Sequence, residues 1–115
     1  MADFGNLYLV RLYNENESFF KIGTSVHKYC RFHQIIKKGY EVEIIYMLLK
    51  IDFMKAYEWE TSLHCIFSKQ KYYPNIKFGG YTECYCDIDI DYYKFLIKDI
   101  SHRDVIENYK IKYYY

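Results

Sequence analysis

Long hydrophobic runs are missing from this chain of 115 residues: the longest, Ile44 to Leu49, is far short of the roughly 20 apolar residues that cross a bilayer. The opening Met1-Ala-Asp-Phe-Gly5 has neither the basic nor the apolar region of a signal peptide. Both absences lead us to expect a soluble, intracellular, unexported protein with no membrane partner, nucleus or cytoplasm being left open. Four cysteines, Cys30, Cys65, Cys84 and Cys86, without an export signal read as free thiols rather than a disulfide framework. There is no Pro/Ser-rich linker and no internal repeat, and the only low-complexity segment is the terminal tyrosine run, so one domain suffices. Strong net charge is lacking too. A formal charge of +1 argues against a strongly basic nucleic-acid coat, while leaving room for an enzyme with a local phosphate site.

What the chain does have is aromatic surface: 16 Tyr and 8 Phe supply large buried area, and each Tyr hydroxyl needs a partner. Charge is also unevenly spread. Between Ser18 and Tyr40 there is no Asp or Glu, whereas Lys21, Lys28, Arg31, Lys37 and Lys38 fall there with His27 and His33; acids gather later, from Glu83 to Glu107. That distribution implies either one positive face suited to a polyanion or an ordinary solvated helix face.

Leu7–Tyr13 and Phe19–Ile22 are β-rich and flank a turn-like Asn14–Ser18, which predicts a β-hairpin opening the domain. After Thr24-Ser25, a candidate cap, Val26 to Lys38 has helical spacing and stops at Gly39. Tyr40 to Ile51 reads as a central strand, and a second helix is expected from Asp52 to about Lys69, packing through Ala56, Trp59, Leu63 and Ile66, with Glu60 and His64 flanking that stripe. A short edge strand over Tyr81–Cys86 and a third helix over about Asp91–Ile100 complete the expected elements. The class is therefore α/β of the α+β type, with a small, mainly antiparallel sheet and about three helices. Residues 1–102 form the expected domain, and 103–115 a tail of unassigned structure.

The order of these features resembles the GIY-YIG nuclease superfamily, over roughly Gly5 to Tyr85. Asn6-Leu7-Tyr8 stands where the first motif ends in tyrosine, and Lys21-Ile22-Gly23 stands for the second. Arg31 follows Gly23 by eight residues. Ala56, Glu60, His64 and Phe67 match the helical signature of the short phage- and virus-type subgroup, and Tyr81-Thr-Glu83-Cys-Tyr85 is similar to its closing glycine-glutamate-aromatic element. Many members carry a second tyrosine where this chain has Lys21; lysine is frequent in that subgroup.

The resemblance implies a Mg²⁺-dependent DNA endonuclease, with Mn²⁺ as a substitute ion, and the physical chemistry of the residues fits the implied roles. Glu60 is the expected metal ligand, since Mg²⁺ commonly takes one or two carboxylates and completes its shell with water and phosphate oxygens. Arg31 offers a planar fork to two phosphate oxygens. Tyr8 is the implied general base; a free phenol of pKa about 10 is mostly protonated at neutral pH, and a cation such as Lys21 nearby would favour tyrosinate. His64, one helical turn from Glu60, can hold a phosphate or relay a proton. The expected catalytic set is Tyr8, Lys21, Arg31, Glu60 and His64, and the expected nucleic-acid contacts are Lys21, Lys28, Arg31, Lys37 and Lys38. A homodimer would serve to cut both strands, and RNA is left open as a substrate.

Other readings compete. A module of the same fold can bind nucleic acid without cutting it, and a tyrosine-rich surface can meet a protein partner. Cys84-x-Cys86 with Cys65 and His64 invites a zinc site, although its spacing departs from that of zinc knuckles. Asn75 parallels an asparagine of some family members or belongs to a plain turn. Richness in Tyr, Ile and Lys with a single Pro hints at an AT-rich genome and, with the subgroup resemblance, at a viral protein of a large DNA virus.

Overall fold

Strand β1, Phe4–Tyr13, is apolar at almost every position and is buried on both faces, as a central strand must be. It pairs antiparallel with β2, Ser18–Ser25, through a turn in which the Asn14 side-chain oxygen accepts from the backbone N–H groups of Asn16 and Glu17. In the computed structural model, which describes residues 3–112, the hairpin belongs to a five-stranded antiparallel sheet of order β4-β2-β1-β3-β5. Strand β3 is Glu41–Asp52, β4 Cys84–Tyr85 and β5 Asp104–Lys110; the helices are α1, Cys30–Lys37, α2, Phe53–Ile66, and α3, Ile90–Leu96. The architecture is α+β, with three helices on a mainly antiparallel sheet. No helix among the described residues is long and apolar enough to cross a membrane.

Each sheet face has its own apolar layer. Tyr8, Val10, Leu12, Phe19, Val42 and Ile44 pack against Phe32 and Ile35 of α1. Leu7, Leu9, Ile22 and Leu48 pack against Ala56, Leu63 and Phe67 at α2, and against Tyr93 of α3.

Several elements differ from their expected bounds. Helix α1 begins at Cys30, because Thr24 and Ser25 are held in the ladder opposite Leu7 and Asn6, and Val26 to Lys28 are exposed. Asp52, expected to begin the second helix, is the N-cap of α2, its carboxylate accepting from the Lys55 N–H at 3.2 Å. The helix ends at Ile66, however, and a 3-10 turn, Ser68–Gln70, follows. Ala56, Leu63 and the partly buried Trp59 face inward as expected, but Ile66 is exposed and Phe67 takes its place, so Glu60 lies within the stripe rather than beside it. Tyr81–Glu83 forms a 3-10 turn, leaving only two residues of the expected edge strand.

The segment read as tail supplies β5, which extends the sheet beyond residue 102 by pairing with β3. Its near-uniform exposure explains the missing signal: only Ile106 is half-buried, so no apolar alternation marks it. The terminal tyrosine run, 113–115, lies outside the described residues.

Candidate active site

Hairpin register sets the first part of the site. Tyr8 lies opposite Gly23, and Lys21, two residues earlier on β2, shares that sheet face by the two-residue pleat. Lys21 Nζ donates to the Tyr8 hydroxyl at 2.5 Å. Gly23 makes this possible, because a Cβ there would lie 2.4 Å from Tyr8 Oη and 2.9 Å from Lys21 Nζ. Tyr8 is wholly buried and Lys21 is 1% exposed. Lys21 thus stands under the surface, where it cannot serve as an open phosphate contact. Burial opposes its charge, but Tyr8 and the Glu83 carboxylate, 3.9 Å away, outweigh that and raise its pKa. Gly80 closes the cover: at φ +88° it packs so tightly that a Cβ would lie 2.7 Å from Lys21 Cε.

Helix α2 brings the second part. Glu60 and His64 are one turn apart, with His64 Nε2 3.9 Å from a Glu60 carboxylate oxygen. Glu83 joins them because Cys84, the next residue, pairs with Lys21 at the sheet edge. Its second carboxylate oxygen lies 3.2 Å from His64 Nε2. Glu83 therefore touches Lys21 with one oxygen and His64 with the other, linking the two groups of side chains. Burial disfavours its charge, yet His64 and Lys21 outweigh this and hold the carboxyl below its ordinary value. For His64 likewise, burial works against the imidazolium, and Glu60 and Glu83 prevail and raise its pKa. The other ring nitrogen, Nδ1, meets the Tyr85 hydroxyl, whose pKa is raised by burial first and by Glu83 second, so that it stays a neutral phenol.

Glu60, His64 and Glu83 fit a divalent cation. Their donor atoms all lie within 4.8 Å of one another, a little wider than the about 3–4 Å between ligands that share a shell at 2.0–2.2 Å, so side chains would close slightly on an ion. Loss of the proton at His64 Nε2 would leave its lone pair for metal, with Nδ1–H donating to the Tyr85 hydroxyl in the place where a carboxylate, carbonyl or water more often stands. The donor set is two carboxylates and an imidazole: the carboxylates suit Mg²⁺ or Mn²⁺, whereas the imidazole is a ligand for a transition metal rather than for Mg²⁺. Glu83 and Tyr85 were not among the expected site residues, although the glutamate-x-aromatic element that contains both was visible in the sequence. No cysteine belongs to this group; Cys84 is buried in the α1-side layer, and burial pushes its thiol up to about 12.

Arg31 forms no ion pair with the buried group among the described residues. It is exposed on α1 and lines a cleft of about 400 Å³ with His27, Gln34 and Gly79. The Gly79-Gly80 turn adjoins both: Gly79 lines that cleft, and Gly80 packs on Lys21 and Glu83. Lys28 is exposed before α1, while Lys37 and Lys38 are exposed at its far end. Eight helical residues, about 12 Å at 1.5 Å per residue, divide these two sets. Asn75 lies in a bend and its N–H donates to Glu17, as a turn residue does. Comparison with protein-family models, with curated proteins and with solved structures finds no match to this chain.

Proposed function

We propose that this protein is a metal-dependent endonuclease of GIY-YIG type, hydrolysing phosphodiester bonds in DNA. The observation that carries the reading is convergence: Tyr8, Lys21, Glu60, His64 and Glu83, spread over 76 positions of the sequence, form one connected chain of polar contacts. Packing needs alone do not call for two carboxylates, an imidazole, a buried ammonium and a phenol in one place.

Glu60, with His64 and Glu83, holds the cation. When bound, that ion supplies charge neutralisation at the phosphate and a water of lowered pKa. Arg31, exposed beside its cleft and without an ion-pair partner among the described residues, grips the phosphate and stabilises charge that builds on its oxygens. Tyr8 acts as the base in its phenolate form, held by the Lys21 ammonium at its oxygen, and becomes a neutral phenol on accepting the proton of the attacking water.

One observation favours a second reading. The Tyr8 hydroxyl is wholly buried under Lys21 and Gly23, so a water must pass Lys21 to reach it. A module that binds nucleic acid without cutting it has no need of such access.

Supercoiled plasmid and a branched DNA, each incubated with and without Mg²⁺ or Mn²⁺, distinguish the two. The nuclease reading expects metal-dependent nicking that Glu60→Ala and Arg31→Ala both abolish while circular dichroism shows both variants folded. Binding of DNA with no cleavage of either substrate would establish the binding module instead.

A further inference from the structure

A second cleft, of about 430 Å³, adjoins the one beside Arg31, and Val26 and His27 line both. Its cations come from three separate parts of the chain: Lys28 before α1, Lys50 near the end of β3, and Arg103 just before β5. The ends of β2, β1, β3 and β5 that meet here are neighbours in the sheet. Three intervals of about 4.8 Å between strands give a path of roughly 14 Å, about four nucleotides at 3.4 Å of axial rise each.

Lys28, Lys50 and Arg103 form no ion pair among the described residues, whereas Arg11, Lys94 and Lys110, towards the other end of the sheet or on its face, are paired with Glu43, Glu107 and Glu41. Asp104 is the one acid lining the cleft, and one of its carboxylate oxygens is already taken by the Val105 N–H at 2.8 Å. Three cations against one acid leave the cleft positive.

Lys50 carries a further mark. Its φ is +62°, the left-handed region that costs a residue with a side chain about 1–2 kcal/mol. Two contacts maintain it: the Asn6 side-chain oxygen accepts from the Lys50 N–H at 3.2 Å, and the neighbouring Leu49 carbonyl accepts from the Arg103 N–H at 2.9 Å. The same contacts set Lys50 and Arg103 side by side. The conformation belongs to a β-bulge, in which Leu49 and Lys50 stand opposite Asn6 alone, and the bulge sets the exposed Lys50 at the cleft.

We infer that this end of the sheet is a phosphate track, in which Lys28, Lys50 and Arg103 hold the backbone of a nucleic-acid strand leading away from the Arg31 cleft. The inference rests on the nucleic-acid reading above and adds the path of the strand. It also shifts the contacts expected from sequence, from the far end of α1 to residues of β3 and the β5 entrance.

The test is salt-dependent binding of a short fluorescent DNA duplex, in EDTA so that nothing is cut, by the wild type and by a Lys50→Asn/Arg103→Gln double variant. Asparagine tolerates the left-handed conformation, so the fold is kept. Each phosphate contact contributes about 0.9 to the slope of log affinity against log salt, so losing two makes the fall from 50 to 200 mM salt about 12-fold shallower. A Lys37→Gln/Lys38→Gln variant should retain the wild-type slope. An unchanged slope in the first variant, or a loss confined to the second, would overturn the track while leaving the nuclease reading intact. Failure of the wild type to bind or cut nucleic acid at all would overturn both.

Discussion

Lys21 and Tyr8 meet on a diagonal of the β1–β2 ladder, ammonium to phenol at 2.5 Å, directly over the bare backbone of Gly23. A methyl group at position 23 has no room there. Gly23→Ala should therefore destabilise the protein by about 1–3 kcal/mol through overpacking. A urea midpoint that drops with an unchanged slope would record it, and an unchanged midpoint would contradict the close approach.

The same contact is buried, so neither partner can be removed alone without leaving a polar group unsatisfied. Lys21→Met and Tyr8→Phe should each cost about 1–3 kcal/mol. The double variant should cost less than their sum by at least about 1 kcal/mol. Simple additivity in denaturant unfolding would show that the two side chains do not depend on one another.

Metal binding gives a readout independent of catalysis. Mn²⁺ at about a hundred times its dissociation constant should stabilise the fold by about 2.7 kcal/mol, visible as a rise in Tm. Glu60→Gln and Glu83→Gln should each diminish the rise. An undiminished rise in Glu83→Gln would remove that residue from the ligand set.

Glu17 ties the hairpin turn to the far loop. Its carboxylate accepts from the Tyr40 and Tyr72 hydroxyls, each at 2.5 Å, and from the Asn75 N–H. Burial acts against its charge, but those three donors outweigh it and lower its pKa from the ordinary 4.5. A lowered carboxyl contributes stability that is present above 4.5 and is lost as pH falls through the folded value. Stability of the wild type should thus decline more steeply below pH 4.5 than that of Glu17→Gln. The hydrogen bonds also push the Tyr72 phenol up to about 12.

The face of α2 can be checked by two neighbouring truncations. Phe67→Ala should cost about 3–5 kcal/mol, since Phe67 is buried against Tyr85 and Tyr93. Ile66→Ala, at an exposed position, should change stability by about 0.5 kcal/mol or less. Similar costs for the two would return the helix to the orientation expected from sequence.

That orientation shows where reading the chain fell short. Ala56, Trp59 and Leu63 were legible, but Ile66 and Phe67 are adjacent and continue the same helical spacing equally well, so periodicity alone could not decide which of them faces the core. Glu60 and His64 were legible because their spacing alone puts them on neighbouring positions of one helix. The proximity of Lys21 to Tyr8 was legible in part, since a hairpin brings its two strands together. Strand β5 was not, because its exposed residues carry no alternation.

By itself, then, the sequence determined the hairpin, the helix that follows Asp52 and the α+β class, all of which depend on local periodicity, caps and turns. Tertiary structure alone decided that Glu83 would stand between Lys21 and His64, because a two-residue edge pairing carries it there. It also decided that Lys21 would be buried rather than open to a ligand, and that Lys28, Lys50 and Arg103 would share one cleft. Such placements depend on register and sheet order, which join residues far apart in the chain, and no local pattern encodes them.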